Sequence, residues 1–393
     1  MKLSINNVLG LLGGALLTAA SPASWAAVTP TLNTGVQTVV VPLSPPQISA
    51  GVDAPVGTVL YQASLIMKDG SVTIKWLSSD VGKYLYYTTS AFVSNTPQPL
   101  ANLTTGPYAN GVYQTGIPGI GVAILSASGT PLTTTARYVE AQNLLGSELS
   151  GLLNHSGASN VRNVVLVKTG PLTPGTYTAS GANFPTVTQG MDVSQTSHTN
   201  AAATSGLPVY DWIFSFQGSI TVSAQTCTTP DVAVTLGTYA IAEKFRALNS
   251  TTPWIDASVA LINCPRFYGF YNSTNAPLLM NYNTGTGIST TSLNNSIGVR
   301  LTPATSVVDA ANGIMAIDST LVGAASGVGI QLGWGDSSQT PTLFNFAAEK
   351  TITLPKDGTS TIRVPLSARY IQTATTPTPG KANGKVTFTI SYY

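Results

Sequence analysis

The last eight residues of the chain alternate strictly between two faces, and this constrains the fold more than any other stretch. Val386, Phe388, Ile390 and Tyr392 would point one way, and the residues between them the other. A period of two residues predicts a half-buried β-strand. Because this strand runs to Tyr393, we expect it both to complete its own sheet and to offer a backbone edge to another chain.

The composition extends the prediction of sheets to the whole chain. Only 8% of the 393 residues are charged, 43% are hydrophobic, and Gly and Pro number 37 and 25. Short Val- and Ile-rich runs separated by Gly, Pro and Asn are typical of strands joined by turns. Only residues 136–153 have helix-like spacing. We predict an all-β protein, and its length favours two β-sandwich domains over one.

The first 26 residues have the parts of a secretory signal peptide. Lys2 precedes an apolar run of 13 residues, 8–20, and small residues stand at Ser24 and Ala26. The run is shorter than the ~20 residues that a transmembrane helix needs. We therefore expect cleavage after Ala26 and export of the mature chain.

The chain has two cysteines, Cys227 and Cys264. In an exported protein such a pair predicts one disulfide, and two free buried thiols are the alternative. The pair offers too few ligands for a metal site, and His155 and His198 lack a metal-binding spacing. We predict no metal and no cofactor.

Charge and motifs argue against nucleic-acid binding and against catalysis. Residues 27–217 carry six basic and seven acidic side chains, and residues 218–393 carry ten and eight. Neither half has the basic excess that phosphate contacts require. No nucleophile elbow, His-Glu-x-x-His motif or glycine-rich phosphate loop occurs. We predict a protein that is not an enzyme and has no nucleic-acid partner.

The C-terminal strand resembles that of pilin subunits of the chaperone–usher pathway. The features shared are a penultimate aromatic, Tyr392, alternating apolar residues before it, and Gly380, fourteen residues from the end. The stretches 219–227, 257–264 and 327–332 are similar to earlier pilin strands. The resemblance implies that residues 218–393 form an incomplete immunoglobulin-like pilin domain, which a strand donated by another subunit completes.

The same resemblance implies partners and a site. A strand lent first by a periplasmic chaperone and then by the next pilin subunit would fill the groove, after passage through an outer-membrane usher. The backbone hydrogen bonds would come from the donated strand, and alternate side chains would fill the groove. The residues expected at this groove and at the chaperone contact are Gly380, Val386, Phe388, Ile390, Tyr392 and Tyr393.

Three stretches of residues 27–217 resemble the receptor-binding domains of two-domain fimbrial tip adhesins, including those of type 1 and type 3 fimbriae. They are Pro55–Val59, Val112–Val122 and Val165–Gly175. The resemblance implies that this segment is an N-terminal, lectin-like receptor-binding domain. It has no cysteine, so its loops are not stapled as those of many relatives are.

Sugar recognition typically combines an aromatic face with amide, carboxylate or imidazole groups. Core packing is the alternative explanation for Trp76, and a solvated loop position is the alternative for His155. The candidate ligand-binding residues are Trp76, Asp80, Tyr108, Asn110, Tyr113, Asn154 and His155.

Together these features predict a fimbrial tip adhesin, secreted through the periplasm and anchored at the fimbrium tip by its pilin domain. Its receptor would be a host glycan. The alternatives are an adhesin for matrix protein or abiotic surfaces, and a structural minor pilin.

Overall fold

The computed structural model describes residues 27–45, 47–135, 137–146, 151–155, 161–194 and 197–393. Within these ranges nearly all regular structure is β-strand, which confirms the all-β prediction; one helical turn, α1 (Ile241–Lys244), and short 3-10 turns are the exceptions. No helix in this part of the chain is long and apolar enough to cross a membrane. The predicted signal peptide, residues 1–26, lies outside the described residues.

Fourteen strands precede residue 218. They are β1 (Thr29–Leu32), β2 (Gln37–Pro42), β3 (Gln47–Ser49), β4 (Val59–Ile66), β5 (Gly70–Lys75), β6 (Tyr84–Asn95), β7 (Tyr113–Gln114), β8 (Ile120–Leu125), β9 (Tyr138–Leu145), β10 (Gly151–His155), β11 (Val161–Lys168), β12 (Thr176–Ser180), β13 (Thr186–Val193) and β14 (Val209–Gln217).

Fourteen more follow. They are β15 (Ser219–Ser223), β16 (Ile255–Asp256), β17 (Val259–Leu261), β18 (Leu278–Asn281), β19 (Thr286–Ile288), β20 (Ser296–Pro303), β21 (Val307–Asp309), β22 (Ile314–Ala316), β23 (Val328–Trp334), β24 (Thr342–Leu343), β25 (Lys350–Thr353), β26 (Ile362–Val364), β27 (Leu366–Gln372) and β28 (Val386–Tyr392).

Two facing sheets form the body of the N-terminal domain. One has the strand order β2-β14-β13-β6-β9, and the other β19-β18-β4-β11-β8-β7. Their inner faces share one hydrophobic core, whose members include Leu65, Ile124, Leu166 and Phe214. On the other face of β11, Val165 and Val167 pack under the loop of residues 96–112. Burial on both faces explains why the middle of β11 is a continuous apolar run.

A smaller sheet, β1-β5-β10, extends the sandwich where β6 begins and β13 ends. Its side chains pack against both of those strands in a separate core, which consists of Val28, Val72, Ile74, Leu85, Tyr87, Met191 and Ala202. We call this the distal end of the N-terminal domain. At the opposite end β14 finishes at Gln217, and the chain continues into the C-terminal domain.

The C-terminal domain is a second sandwich. Its sheets have the orders β16-β27-β23-β22-β21, with β24 also paired to β23, and β25-β20-β28, and β17 pairs with β26. The core between them contains the disulfide Cys227–Cys264, which confirms the predicted pairing. The bond joins residues 37 positions apart, at the start of the domain and after β17.

Two strands of the C-terminal half are built into the N-terminal sheets. β15 lies between β12 and β3, and β18 pairs in parallel with β4, with Leu278 opposite Ser64 and Asn281 opposite Ile66. Ile220, Val222, Tyr271 and Leu279 belong to the N-terminal core. The predicted boundary between residues 217 and 218 stays a prediction. The N-terminal core includes Ala224 and, beyond Cys227, Tyr271 and Leu279, so the two cores interleave along the chain.

Residues 136–153 are not helical where the structure describes them. β9 pairs with β6, from Tyr138 opposite Ala91 to Leu145 opposite Tyr84, and β10 pairs with β5. The helix-like spacing is overridden because β9 and β10 each form backbone ladder bonds with a neighbouring strand.

Candidate functional site

An open groove runs beside β28 in the C-terminal domain. It encloses about 630 Å³ between β28, β23, β27 and the irregular residues 231–236. The apolar side chains that line it include Val259, Leu301, Met315, Ile330, Leu332, Leu366 and Phe388. Val386, Phe388 and Ile390 pack against the core but stay only half-buried. This is the pattern expected of a core with one strand absent.

The free edge of β28 faces this groove. In the described part of the chain β28 pairs with β20 alone. Tyr393 and Ser296 exchange both backbone hydrogen bonds, at 2.9 and 3.2 Å. Hydrogen-bonded and non-bonded residues alternate along an antiparallel pair, so Val386, Phe388 and Ile390 direct their N–H and C=O groups away from β20. These groups can pair with a further strand.

The free edge of β28 stops at Tyr392, because the N-terminal domain covers it there. The backbone N–H of Tyr392 donates to the Asp53 carboxylate at 2.9 Å, and the Tyr392 carbonyl accepts from the Asp53 N–H at 3.1 Å. Two residues earlier, a Cβ on Gly51 would lie 2.5 Å from backbone atoms of Tyr392 and Tyr393. Glycine therefore permits the close approach, and a strand entering the groove can extend along β28 only up to Asp53.

The loop that carries Asp53 is anchored in turn. Lys168 donates from Nζ to the Val52 carbonyl. Burial lowers the pKa of Lys168, and the nearby Asp53 carboxylate opposes that shift. Loss of the Lys168 side chain would remove this bond to Val52, while the backbone bonds of Lys168 with Gly57 and Thr58 would remain.

The six predicted groove residues fall into three places. Val386 and Phe388 line the groove, Ile390 lies on the same face of the strand, and Gly380 crosses the backbone of residues 323–325 so closely that no Cβ fits. Tyr392 is buried beside Phe267, and its hydroxyl accepts from the Cys227 N–H at 2.9 Å. Burial raises the pKa of Tyr392. Tyr392 and Tyr393 thus lie at the contact between the domains.

Three of the predicted ligand-binding residues are engaged in packing or pairing. Trp76 is half-buried against the distal core. Asp80 is buried and accepts from Lys83 Nζ at 2.9 Å. Tyr113 is only 2% exposed, in the main core.

The remaining candidates lie elsewhere. Tyr108 packs on the cluster under residues 96–112, and burial raises its pKa. Asn110 is exposed with φ of 57°. Asn154 and His155 pair through their backbones with Ser71 and Gly70, and their side chains lie outside the described residues. The structure does not gather the seven candidates into one pocket.

A pocket that the sequence did not reveal lies at the distal end. We call it the distal pocket; it has a volume of about 290 Å³. Its lining residues are Tyr86, Val193, Ser194, Ser197, His198, Ala201, Ala202, Thr204 and Leu207. The rings of Tyr86 and His198 stack with centroids 3.6 Å apart and planes 12° from parallel. These two residues are 112 positions apart, and strand alternation around Tyr86 gives no sign that the segment 197–207 folds beside it.

Metal ligation has no candidate cluster in the described residues, where no three His, Cys, Asp or Glu side chains group closely enough to hold an ion. The groove itself combines apolar side chains with open backbone groups, as in recognition by strand addition.

The family comparison supports this geometry. Residues 214–393 match the model of the family described as fimbrial protein. The C-terminal domain is a fimbrial protein domain. The groove and its free edge lie wholly within this fimbrial domain, as does the disulfide. Fimbrial proteins are structural and binding proteins rather than enzymes, in agreement with the prediction of no enzymatic activity.

Similar solved structures include three fimbrial subunits. The receptor-binding domain of the adhesin MrkD1P of Klebsiella pneumoniae is 16% identical, covering 51% of this chain and 98% of that one, with a TM-score of 0.28. The CsuC–CsuE chaperone–tip subunit complex of Acinetobacter baumannii is 11% identical, covering 92% and 99%, with a TM-score of 0.25. The adhesin AtfE of Proteus mirabilis is 16% identical, covering 48% and 98%, with a TM-score of 0.26. None of the curated proteins compared with the chain matches it.

The match to the fimbrial family begins within β14, before the predicted domain boundary. β15 falls inside the matched segment yet pairs with β12 and β3 of the N-terminal domain. The fimbrial domain therefore shares its first strand with its neighbour.

Proposed function

We propose that the chain is a fimbrial tip adhesin that passes through the periplasm and is mounted at the end of a fimbrium. The fimbrial domain accepts a strand first from a periplasmic chaperone and then, at the outer-membrane usher, from the next pilin subunit. The N-terminal domain binds the receptor. A host glycan is the receptor that we propose.

The observation that carries this proposal is the open groove, which can accept a strand, while the alternating stretch near the N-terminus of the described residues is already paired. The groove beside β28 is open, with Val386, Phe388 and Ile390 half-buried. The alternating stretch near the N-terminus that could act as a donor, β2, instead pairs in parallel with β14 along its whole length. A subunit of this kind fits the end of a polymer, where no neighbour needs a strand from it.

A second receptor class has specific support. Val81, Leu145 and Val193 are 44%, 53% and 50% exposed, and all lie near the distal end. Exposed apolar side chains of this kind suit attachment to matrix proteins or to abiotic surfaces. The receptor test below therefore includes both classes.

Strand acceptance can be tested on the full mature chain with a synthetic peptide of twelve residues that alternates Val or Ile with Thr or Lys. We expect the peptide to raise the thermal unfolding temperature of the fimbrial domain, because each large side chain that fills the groove contributes about 1.5–3 kcal/mol. The control is a peptide of the same composition without alternation. Equal unfolding temperatures with both peptides would refute strand acceptance.

The groove itself supplies a matched pair of variants. Leu332→Arg places a charge among the groove residues, whereas Leu343→Arg changes an exposed leucine on β24 of the same domain. We expect the first substitution to abolish the peptide effect and the second to preserve it.

Receptor class is then tested by binding of the peptide-filled chain to a glycan array and to immobilised matrix proteins.

A further inference from the structure

The tripeptide Ala-Asn-Gly occurs three times in the chain, at residues 109–111, 311–313 and 382–384. An asparagine followed by a glycine is prone to spontaneous deamidation, because the glycine has no Cβ to hinder its backbone nitrogen. The three copies share the residue before the asparagine, so their surroundings in the fold decide which of them reacts. We infer that Asn383, at the rim of the groove beside β28, is a deamidation site of this protein.

The first two copies are held in place. The N–H groups of Gly111 and Gly313 each donate to the carbonyl three residues earlier, at 3.1 and 3.4 Å, and both glycines are buried. The side-chain amide of Asn312 also donates to the Asp309 carboxylate at 2.7 Å. In both copies the glycine nitrogen must leave its hydrogen-bond partner before it can attack, which requires local opening of the fold.

The third copy is free to react. Asn383 and Gly384 are both exposed and lie in irregular backbone just before β28. Among the residues that the structure describes, the Gly384 N–H donates to no acceptor and the Asn383 side chain has no hydrogen-bond partner. The attacking nitrogen and the amide that it attacks are therefore both available without opening of the fold.

The reaction consumes only water. The Gly384 backbone nitrogen attacks Cγ of Asn383, so that an N–Cγ bond forms and the Cγ–Nδ2 bond breaks. Nδ2 leaves as ammonia together with the proton of the Gly384 nitrogen, and a cyclic imide remains. Water then opens the imide at either of its two carbonyls. One product is aspartate. The other is isoaspartate, in which the backbone runs through Cβ and is one atom longer.

Isoaspartate lengthens a segment that is anchored at both ends. The Asn383 carbonyl accepts from the Asp318 N–H at 2.7 Å, and the Lys385 carbonyl accepts from the Ala304 N–H at 2.9 Å. β28 begins at the next residue, Val386. An extra backbone atom between the two anchors requires that one of these bonds breaks or that the start of β28 shifts along β20. Deamidation would therefore disturb the edge on which a donated strand pairs.

Occupancy of the groove would control the reaction. Gly384 lines the groove, and a Cβ there would lie 2.7 Å from Ile330 Cδ1 and 2.9 Å from Met315 Cε, so its backbone lies on the groove floor. A strand that fills the groove would cover Gly384 and exclude the water that opens the imide. Since this step rests on the proposed strand acceptance, Asn383 would convert in chains whose groove stays empty and persist in chains that have received a strand.

Peptide mapping by mass spectrometry tests the site. The full mature chain is incubated in mildly alkaline buffer and digested, and aspartate and isoaspartate are measured in each copy of the tripeptide. We expect the copy at 382–384 to convert about tenfold faster than the other two, because those must open first. The control is the same chain in urea, where the three copies should convert at similar rates. Equal rates in the folded chain would overturn the site.

Two serine variants separate this site from other effects of incubation. Asn383→Ser and Asn312→Ser each remove one Ala-Asn-Gly copy from the fimbrial domain. Incubation should reduce the rise in unfolding temperature that the alternating peptide gives to the Asn312→Ser chain. The rise measured for the Asn383→Ser chain should be the same before and after incubation. Equal losses in the two variants would overturn the effect on the groove.

The alternating peptide also tests the role of the empty groove. Added before incubation, it should slow the conversion of Asn383 about tenfold, because the filled groove must open before water reaches Gly384. Conversion that the bound peptide does not slow would overturn this role. If the peptide fails to stabilise the chain while Asn383 still converts selectively, the deamidation site stands and the proposed strand acceptance is wrong. If the peptide stabilises the chain while all three copies convert alike, the deamidation site is wrong and the fimbrial function stands.

Discussion

The edges of β4 and β28 each lack a neighbouring strand from their own domain, and they end differently. The edge of β4 is covered by β18, a strand that the fimbrial half of the same chain supplies. The edge of β28 is uncovered, and its inward side chains are half-buried where those of β4 are largely buried. The same requirement, a strand to complete a sheet, is thus met inside the chain at the edge of β4 and is unmet in the described residues at the edge of β28.

The difference predicts that the N-terminal domain is not a separable module. Its core includes Ile220 and Val222 from β15, and Tyr271 and Leu279 from the segment around β18. The N-terminal sandwich thus shares its core with side chains that the fimbrial half of the chain supplies.

The largest expected effect comes from removing the strands of the fimbrial half that complete the N-terminal sheets. A fragment of residues 27–217 lacks β15 and the β18–β19 hairpin, so we expect it to remain unfolded by circular dichroism. A fragment of residues 27–226 should gain structure when a peptide of residues 268–293 is added. Cooperative unfolding of residues 27–217 alone would show that neither strand is needed, and it would contradict the view that the fimbrial half completes the N-terminal domain.

The next effect concerns the domain with the open edge, which also contains the disulfide. Replacing both Cys227 and Cys264 with Ser removes a cross-link between residues 37 positions apart. We expect the free energy of unfolding of the fimbrial domain to fall by about 4 kcal/mol, since the unfolded chain regains loop freedom. Calorimetry of the full chain measures this, and an unchanged fimbrial transition would contradict it. The N-terminal transition should move less.

A smaller loss is expected from one side chain of the covering strand. Leu279 is 8% exposed within the N-terminal core, so Leu279→Ala should lower the free energy of unfolding by about 2–4 kcal/mol. Ile288→Ala is the control from the same hairpin, because Ile288 is 60% exposed, and it should change stability by less than about 0.5 kcal/mol. Equal effects of the two substitutions in denaturant titrations would mean that β18 does not complete this core.

The smallest expected effect is a pH dependence of the stability of the N-terminal domain. Asp211 is 3% exposed, and burial raises its pKa to about 7, with Arg162 opposing the shift. Between about pH 4 and 7 the Asp211 carboxyl is therefore protonated in the folded state and ionised in the unfolded state. The free energy of unfolding falls as the pH rises through this range to 7. Between pH 5 and 8 we expect a decrease of roughly 2 kcal/mol.

Asp211→Asn tests the source of this pH dependence, because it removes the titrating carboxyl. The unfolding free energy of the variant, measured in urea across the same pH range, should be nearly level. A slope as steep as that of the wild type would assign the effect to other groups.

Much of this fold follows from short-range sequence patterns. The alternation of Val386 to Tyr392 predicts β28, and the apolar run from Val164 to Val167 predicts a buried strand. The partner of each strand is harder to infer. Nothing in Leu278–Asn281 indicates that it pairs with a strand more than 200 residues earlier, because ladder bonds use backbone groups that every residue has.

The candidate site divides in the same way. Chain-terminal spacing identified Val386 and Phe388, which line the groove. Asp53, which caps the edge, and the pair Tyr86 and His198 were missed, because their positions depend on loops folding across other elements. Trp76 and Tyr113 were plausible ligands by residue type, but packing uses both.

The parallel pairing of β18 with β4 has a mechanical consequence. If a receptor holds the distal end while the fimbrium is pulled, the tension between the domains passes through the covalent link at residues 218–227, through this ladder and through the bonds of Asp53 with Tyr392. The ladder bonds between β18 and β4 run across the strands, so a pull directed along the strands loads them together in shear instead of opening them one by one. The hairpin would thus act as a strap that shares the load with the single covalent connection.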